Sequence, residues 1–456
     1  MKDNIFEKIN NWIKESITLK MFTIGILIGI LLIPSYMIQS LIKERRYRRD
    51  SAVLEISSKW GNAQIVAGPI MTVPYKSHYK DHNEVVVTSV QYAHFLPDLL
   101  EIKGTINPEI RYRGIYEVVL YNTNLIINSS FSFPDFREWN ISEENILWQD
   151  AFISVGISDM RGVKDNFAIK WDEDIHIPEP GIATNNVFSS GISTKIPLVN
   201  KNPDQTSFKC AINMNLNGSH QLSFLPLGKK TTVHLNSAWE NPSFMGCFLP
   251  EEREINTQGF NAQWKILHLN RNYPQQWLNR SYKVDNSAFG VRLILPVDEY
   301  QKIMRTSKYA ILFIILTFLS FFIIEILKKL RLHPIQYLLI GAGMILFYSL
   351  LLSLSEHTIF GFAYFAASAS VILLISTYTK SILHNNMLAG VIGGLLTSLY
   401  SFLYIILQLQ DYSLLMGSVG LFIVLAMFMY LTRNINWYSV GVRKKEDLDK
   451  DDGEKD

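Results

Sequence analysis

The chain has 456 residues, of which 48% are hydrophobic and 18% charged, with 43 Lys and Arg against 41 Asp and Glu. A formal charge of +2 lacks the basic excess of a general nucleic-acid binder, so no nucleic-acid partner is expected. Two cysteines, Cys210 and Cys247, exclude a disulfide-built scaffold, an iron–sulfur protein and any multi-cysteine zinc module.

Residues 1–20 carry Lys2, Lys8, Lys14 and Lys20 and precede 22 uncharged residues, 21–42. At about 1.5 Å per residue, a helix of that length crosses the roughly 30 Å hydrocarbon core of a bilayer. Its length, and its exit through Pro34, Tyr36 and Met37 rather than a small-residue cleavage site, predict a retained span with a kink at Pro34. Lys43, Arg45, Arg46, Arg48 and Arg49 follow. Membrane lipid is the expected partner of this run, each basic residue near an anionic surface contributing about 1 kcal/mol. The plainer alternative is a solvated linker that stops the helix from sliding.

A water-facing domain with its basic linker occupies residues 43–308. Along Phe208, Cys210, Ile212, Met214 and Leu216, apolar side chains alternate with Lys209, Asn213, Asn215 and Asn217. Val119, Tyr121, Leu125, Ile127, Phe131 and Phe133 alternate in the same way with Asn122, Asn124 and Asn128, which predicts strands with one dry and one wet face. Further strands are expected at 85–90, 152–157, 232–235 and 291–295, so the domain is predicted to be antiparallel and β-rich. His78 and His82, four residues apart, would share a helix face as metal ligands, but their polar surroundings favour a loop. Cys210 lies on an apolar strand face, which favours a buried free thiol over a bridge to Cys247.

Residues 297–308 look helical and are expected to continue unbroken into a second span. Five spans are predicted at 309–327, 333–354, 358–379, 387–409 and 412–432, which makes a bundle of one N-terminal plus five C-terminal transmembrane helices. Lys328, Lys329 and Arg331, then Lys380, then Arg433 and Arg443 mark alternate loops, while Ser355, Glu356 and His357 or Gln410 and Asp411 occupy the others. Retention of positive loops in the cytoplasm places both termini inside and the inserted domain outside. The five basic residues after the first span oppose this, and the agreement of three C-terminal loops outweighs them. Residues 433–456 end in an acidic tail that reads as disordered.

No HExxH, P-loop, GxSxG or CxxC motif occurs, so neither a catalytic set nor a cofactor or metal is predicted. Ionisable groups near apolar runs are the remaining functional candidates. Glu325 is expected to pair with Lys328 or Lys329, three or four residues on. Glu356 and His357 would form a proton-binding pair or simply mark the water interface. The small-residue pairs Gly25/Gly29, Gly390/Gly394 and Ala366/Ser370 predict close helix packing within the bundle.

Several long blocks carry a family resemblance. Residues 308–358, LTRNINWY at 431–438, NPSFMGCFLP at 241–250 with QGFNAQW at 258–264, and LLIPSYMIQSLIKERRYRR at 31–49 resemble the bacterial inner-membrane CreD family. The resemblance implies a bacterial inner-membrane protein linked to cell-envelope integrity, with a two-component regulon that responds to envelope stress, and with colicin tolerance and β-lactam response. It implies no established catalytic residue. RLHPIQY (331–337, with His333) and SEHT (355–358) therefore stand as motifs without an assigned role. Two functions are carried forward: a non-enzymatic envelope protein whose outer domain binds a partner protein, lipid or cell-wall component, and a membrane-embedded enzyme or transporter with a site near Glu356 and His357.

Overall fold

The computed structural model describes residues 17–80, 85–198, 206–280, 282–295, 299–328, 330, 332–409 and 412–433. Expectations for Lys2, Lys8, Lys14, His82, Lys329, Arg331 and the acidic tail fall outside these residues. The chain divides into two compact units, Arg49–Val297 and Met1–Arg48 together with Asp298–Asp456.

The second unit is helical: α1 (Ile17–Trp60, whose last turns belong to the other unit), α2 (Glu299–Lys308), α3 (Ala310–Lys328), α4 (Pro334–Ser355), α5 (Phe360–Leu383), α6 (Asn386–Gln408) and α7 (Ser413–Thr432). Five of these, α1 and α3 to α6, are long and apolar enough to cross a membrane, and α7 carries a shorter apolar stretch, Leu415–Tyr430. Pro34 does not interrupt α1.

The expected continuity into the second span fails at Tyr309, whose N–H donates to Thr306 O at 3.1 Å before Phe313 N–H resumes on Tyr309 O at 3.2 Å. Just before the break the hydroxyls of Thr306 and Ser307 bond back to Lys302 O (2.7 Å) and Met304 O (2.9 Å). Such back-bonding competes for helix carbonyls and favours a bend. Between α5 and α6 the chain stops on left-handed His384 (φ 47°) and restarts on Asn385, whose Oδ1 accepts from Met387 N–H (2.9 Å) and Leu388 N–H (3.2 Å).

Aromatic rings fill the centre of the bundle. Phe347 lies 4.7 Å from Tyr400 and 5.4 Å from Tyr364, and the Tyr364 hydroxyl donates to Tyr400 O at 2.7 Å. The predicted glycine pairs do not make the close contacts. A methyl group on Gly25, Gly29, Gly390 or Gly394 would meet nothing within 4 Å, and Ser370 faces outward while Ala363 and Ala367 are buried. Close approach occurs instead at Gly341 of α4, where a Cβ would stand 2.2 Å from Leu31 of α1. Small-residue spacing identifies a possible face, but which face is covered depends on the neighbouring helix.

The unit Arg49–Val297 is built from two sheets. One orders its strands Pro242–Gly246, Phe289–Leu293, Gln221–Phe224, Gln64–Lys80, Phe152–Ile157, Gly191–Lys195 and Glu179–Pro180, with Val86–Phe95 and Gln276–Leu278 paired beside them. The other runs Glu252–Asn256, Gly259–Leu267, Lys230–Ser237, Leu99–Arg113, Tyr116–Ser132, Ser207–Ser219, Ile169–Trp171 and Asp174–His176. Among the described residues, pairing is antiparallel except where Gln64–Lys80 meets Gln221–Phe224 and Lys230–Ser237 meets Leu99–Arg113, two parallel ladders that alternation alone does not reveal.

Apolar residues of both sheets share one core. Trp264 from one sheet packs against Phe244 (5.6 Å) and Phe289 (5.8 Å) from the other. Phe208, Cys210, Ile212, Met214 and Leu216 are all buried, as their period-two spacing requires. Phe133 instead lies just past its strand and is exposed. The last turns of α1 join this unit through Trp60 Nε1–H to Tyr121 O (3.3 Å), the Arg111 guanidinium over the Trp60 ring (4.2 Å) and Arg113 to Glu55 (2.6 Å).

Candidate functional site

The helical unit holds two carboxylates that α1 reaches with basic side chains. Glu325, near the C-terminal end of α3, is buried and accepts from Lys20 Nζ, from the Tyr337 hydroxyl (3.1 Å) and from the Leu332 backbone N–H (2.9 Å). The expected local pair with Lys328 is replaced by this longer-range one, and Lys328 is exposed. Three donors on one carboxylate suit a buried charge, which is stable only when paired and fully hydrogen-bonded. Lys20 and Tyr337 are the partners that sequence reasoning missed, and their only signal was that Lys20 borders the first apolar run.

Glu356 caps the C-terminus of α4. Arg45 of α1 lies 3.6 Å from its carboxylate, and the Tyr300 hydroxyl of α2 donates to it at 3.3 Å. His357 is exposed, and among the described contacts no bond joins it to Glu356. Lys20 and Arg45 are separated on α1 by a helical rise of about 37 Å, slightly more than the roughly 30 Å apolar core of a bilayer. His333 is the N-cap of α4: its Nδ1 accepts from Ile335 N–H (3.3 Å) while Gln336 Oε1 accepts from His333 N–H (2.9 Å). With Pro334 at the first helical position, residues 333–337 of RLHPIQY work as a helix start.

In the basic run, Arg48 pairs with Glu44 (2.6 Å), Arg49 with Asp50 (3.0 Å) and Arg45 with Glu356. Lys43 and Arg46 are exposed.

In the β unit His78 lies on the strand Gln64–Lys80 rather than on a helix or loop, with Nδ1 2.9 Å from Thr88 Oγ1 and Nε2 3.2 Å from Asn145 Oδ1. Among the described residues no three His, Cys, Asp or Glu side chains gather to hold a metal. Burial lowers the pKa of His94 to about 4, so this residue, 3.0 Å from Thr72 Oγ1, is a neutral core group. Cys210 is a buried free thiol whose pKa burial pushes up to about 12, and Cys247 is free and exposed. The Arg161 guanidinium, hydrogen-bonded to Asp159, holds that carboxyl below its ordinary range where it receives Asn62 N–H at 3.0 Å.

Two recesses lie on the outer face of the eight-stranded sheet. Two open grooves of about 390 and 350 Å³ adjoin at Thr105 and Asn236. Strand register sets Glu254, Asn261, Asn236, Thr105, Asn124 and Asn215 side by side across six strands. Asn124 donates to Asn213 (3.0 Å) and Asn215 (2.9 Å), and Asn122 donates to Asn217 (3.0 Å). The wet positions of the sequence pattern are thus one continuous amide-lined surface.

Spanning helices interrupted by a two-sheet insertion define a multi-pass membrane protein that carries a large β-rich domain. The model of the inner membrane protein CreD family matches residues 16–438. The inner membrane protein CreD of Escherichia coli (strain K12) is 33% identical over 448 residues, covering 95% of this chain and 96% of that protein. The chain belongs to the CreD family of inner-membrane proteins.

Proposed function

We propose that the chain supports cell-envelope integrity as a non-catalytic binding platform, with both termini in the cytoplasm and the β domain in the periplasm. The observation that carries this reading is the pair of open, amide-lined grooves on a β domain inserted between membrane helices. The orientation rests on the helix ends and the turns beside them: Lys328, Lys380 and Arg433 mark one set, and Ser355, Glu356 and His357 the other. Lys43 and Arg46, exposed on α1, would meet lipid head groups, and the groove face would meet an envelope protein or a cell-wall component.

An enzyme or transporter centred on Glu356 and His357 is less well supported, because Arg45 and Tyr300 already engage Glu356. To test the platform, residues 49–297 are replaced by a Gly/Ser linker and survival under β-lactam and colicin challenge is compared with wild type at equal membrane abundance. The platform reading predicts loss of protection. Full protection by the linker form would overturn it.

A further inference from the structure

Asparagine is a poor strand residue because its side chain competes with the backbone for hydrogen bonds. The eight-stranded sheet nevertheless places it repeatedly on its outer face, at 122, 124, 213, 215 and 217 and again at 107, 236 and 261. The first group is tied together by the side-chain hydrogen bonds described above. Asn107, Asn236 and Asn261 differ: they are exposed, they line the larger groove, and among the described residues no side-chain hydrogen bond engages them. Positions that contradict local propensity without a structural return are where function is expected.

We infer that the two grooves bind an uncharged, hydroxyl-rich glycan of the N-acetylhexosamine type found in cell-wall strands, which rests on the platform reading and specifies its ligand. Each free amide offers two donors and an acceptor, which matches the mixed donor and acceptor character of sugar hydroxyl and acetamido groups. Neighbouring strands about 4.8 Å apart repeat that offer on the scale of a sugar ring. Lys103 and Glu254, one charge of each sign, are the charged side chains lining the grooves, so the surface is electrically balanced and does not suit a phosphate-rich partner. Ile126 at one groove and Ala238 at the other are exposed and supply apolar contact for acetyl methyl groups and ring C–H faces.

The test uses the full chain in lipid nanodiscs, titrated with tetra-N-acetylchitotetraose and, separately, with the anionic tetragalacturonate. The inference predicts saturable binding of the neutral tetramer and at least about tenfold weaker binding of the anionic one. The double variant Asn236→Val/Asn261→Val should weaken the neutral tetramer by about tenfold or more, since it removes two of the groove's hydrogen-bonding amides. Valine is a strong strand former, so this variant should keep its thermal unfolding midpoint, and Asn128→Val, on the same face outside the grooves, should bind like wild type.

Equal or tighter binding of the anionic tetramer, no saturable binding of the neutral one, or unchanged binding by the folded double variant would each overturn the inference. Absence of glycan binding in a protein whose linker form still loses envelope protection removes the ligand and leaves the platform. Saturable, groove-dependent binding alongside a fully protective linker form removes the platform and leaves the ligand.

Discussion

Glu325 is 3% exposed and receives Lys20, Tyr337 and the Leu332 amide, whereas Glu356, 11% exposed, meets Arg45 at 3.6 Å and Tyr300 at 3.3 Å. Both carboxylates hold the same helix, α1, near opposite ends of its apolar stretch. Their surroundings set how much each holds. A fully buried charge that loses its partner keeps the full penalty of being out of water, while a half-buried carboxylate at a helix end, paired with a more open arginine, regains part of its hydration. The comparison teaches that ion pairs of like composition serve as a lock at one end of the helix and as a loose tether at the other.

The largest effect is expected for Lys20→Met, which leaves Glu325 buried without its cation. Its thermal unfolding in detergent should show a loss of about 3–5 kcal/mol, and adding Glu325→Leu should recover most of it. Tyr337→Phe removes one neutral donor from the same carboxylate and should cost about 1.5–3 kcal/mol in the same assay. Arg45→Met should cost at most about 1 kcal/mol, and raising salt in the wild-type assay should lower stability by a similarly small amount. If Arg45→Met destabilised as much as Lys20→Met, the distinction between lock and tether would fail.

Much of this architecture was legible in the sequence for a simple reason: uncharged runs and period-two alternation are local signals. They placed the spans and the strands Phe152–Ile157 and Ser207–Ser219 without knowledge of any neighbour. What needed the structure was non-local. Glu325 and Lys20 lie 305 positions apart, and the local rule that assigned Glu325 to Lys328 or Lys329 cannot see that distance. Glycine spacing marked Gly25 and Gly29, yet the contact fell at Gly341 because Leu31 happens to face it.

The candidate groove was half visible. The wet positions Asn122, Asn124, Asn213, Asn215 and Asn217 stood out in the pattern, but their continuation to Asn236 and Asn261 runs through a parallel pairing between Leu99–Arg113 and Lys230–Ser237 that no hairpin signal announces. His333 and Glu356 were singled out as functional candidates, and their geometry is that of a helix cap and a helix tether.

Because the native chain has one exposed and one buried thiol, it carries its own probe of sidedness. A membrane-impermeant maleimide is applied to intact spheroplasts expressing the wild-type protein, with Cys247→Ser as control. Our account predicts stoichiometric labelling of the wild type without permeabilisation and none of the control. Labelling that appears only after the inner membrane is opened would put the β domain on the cytoplasmic side and contradict the envelope-facing role.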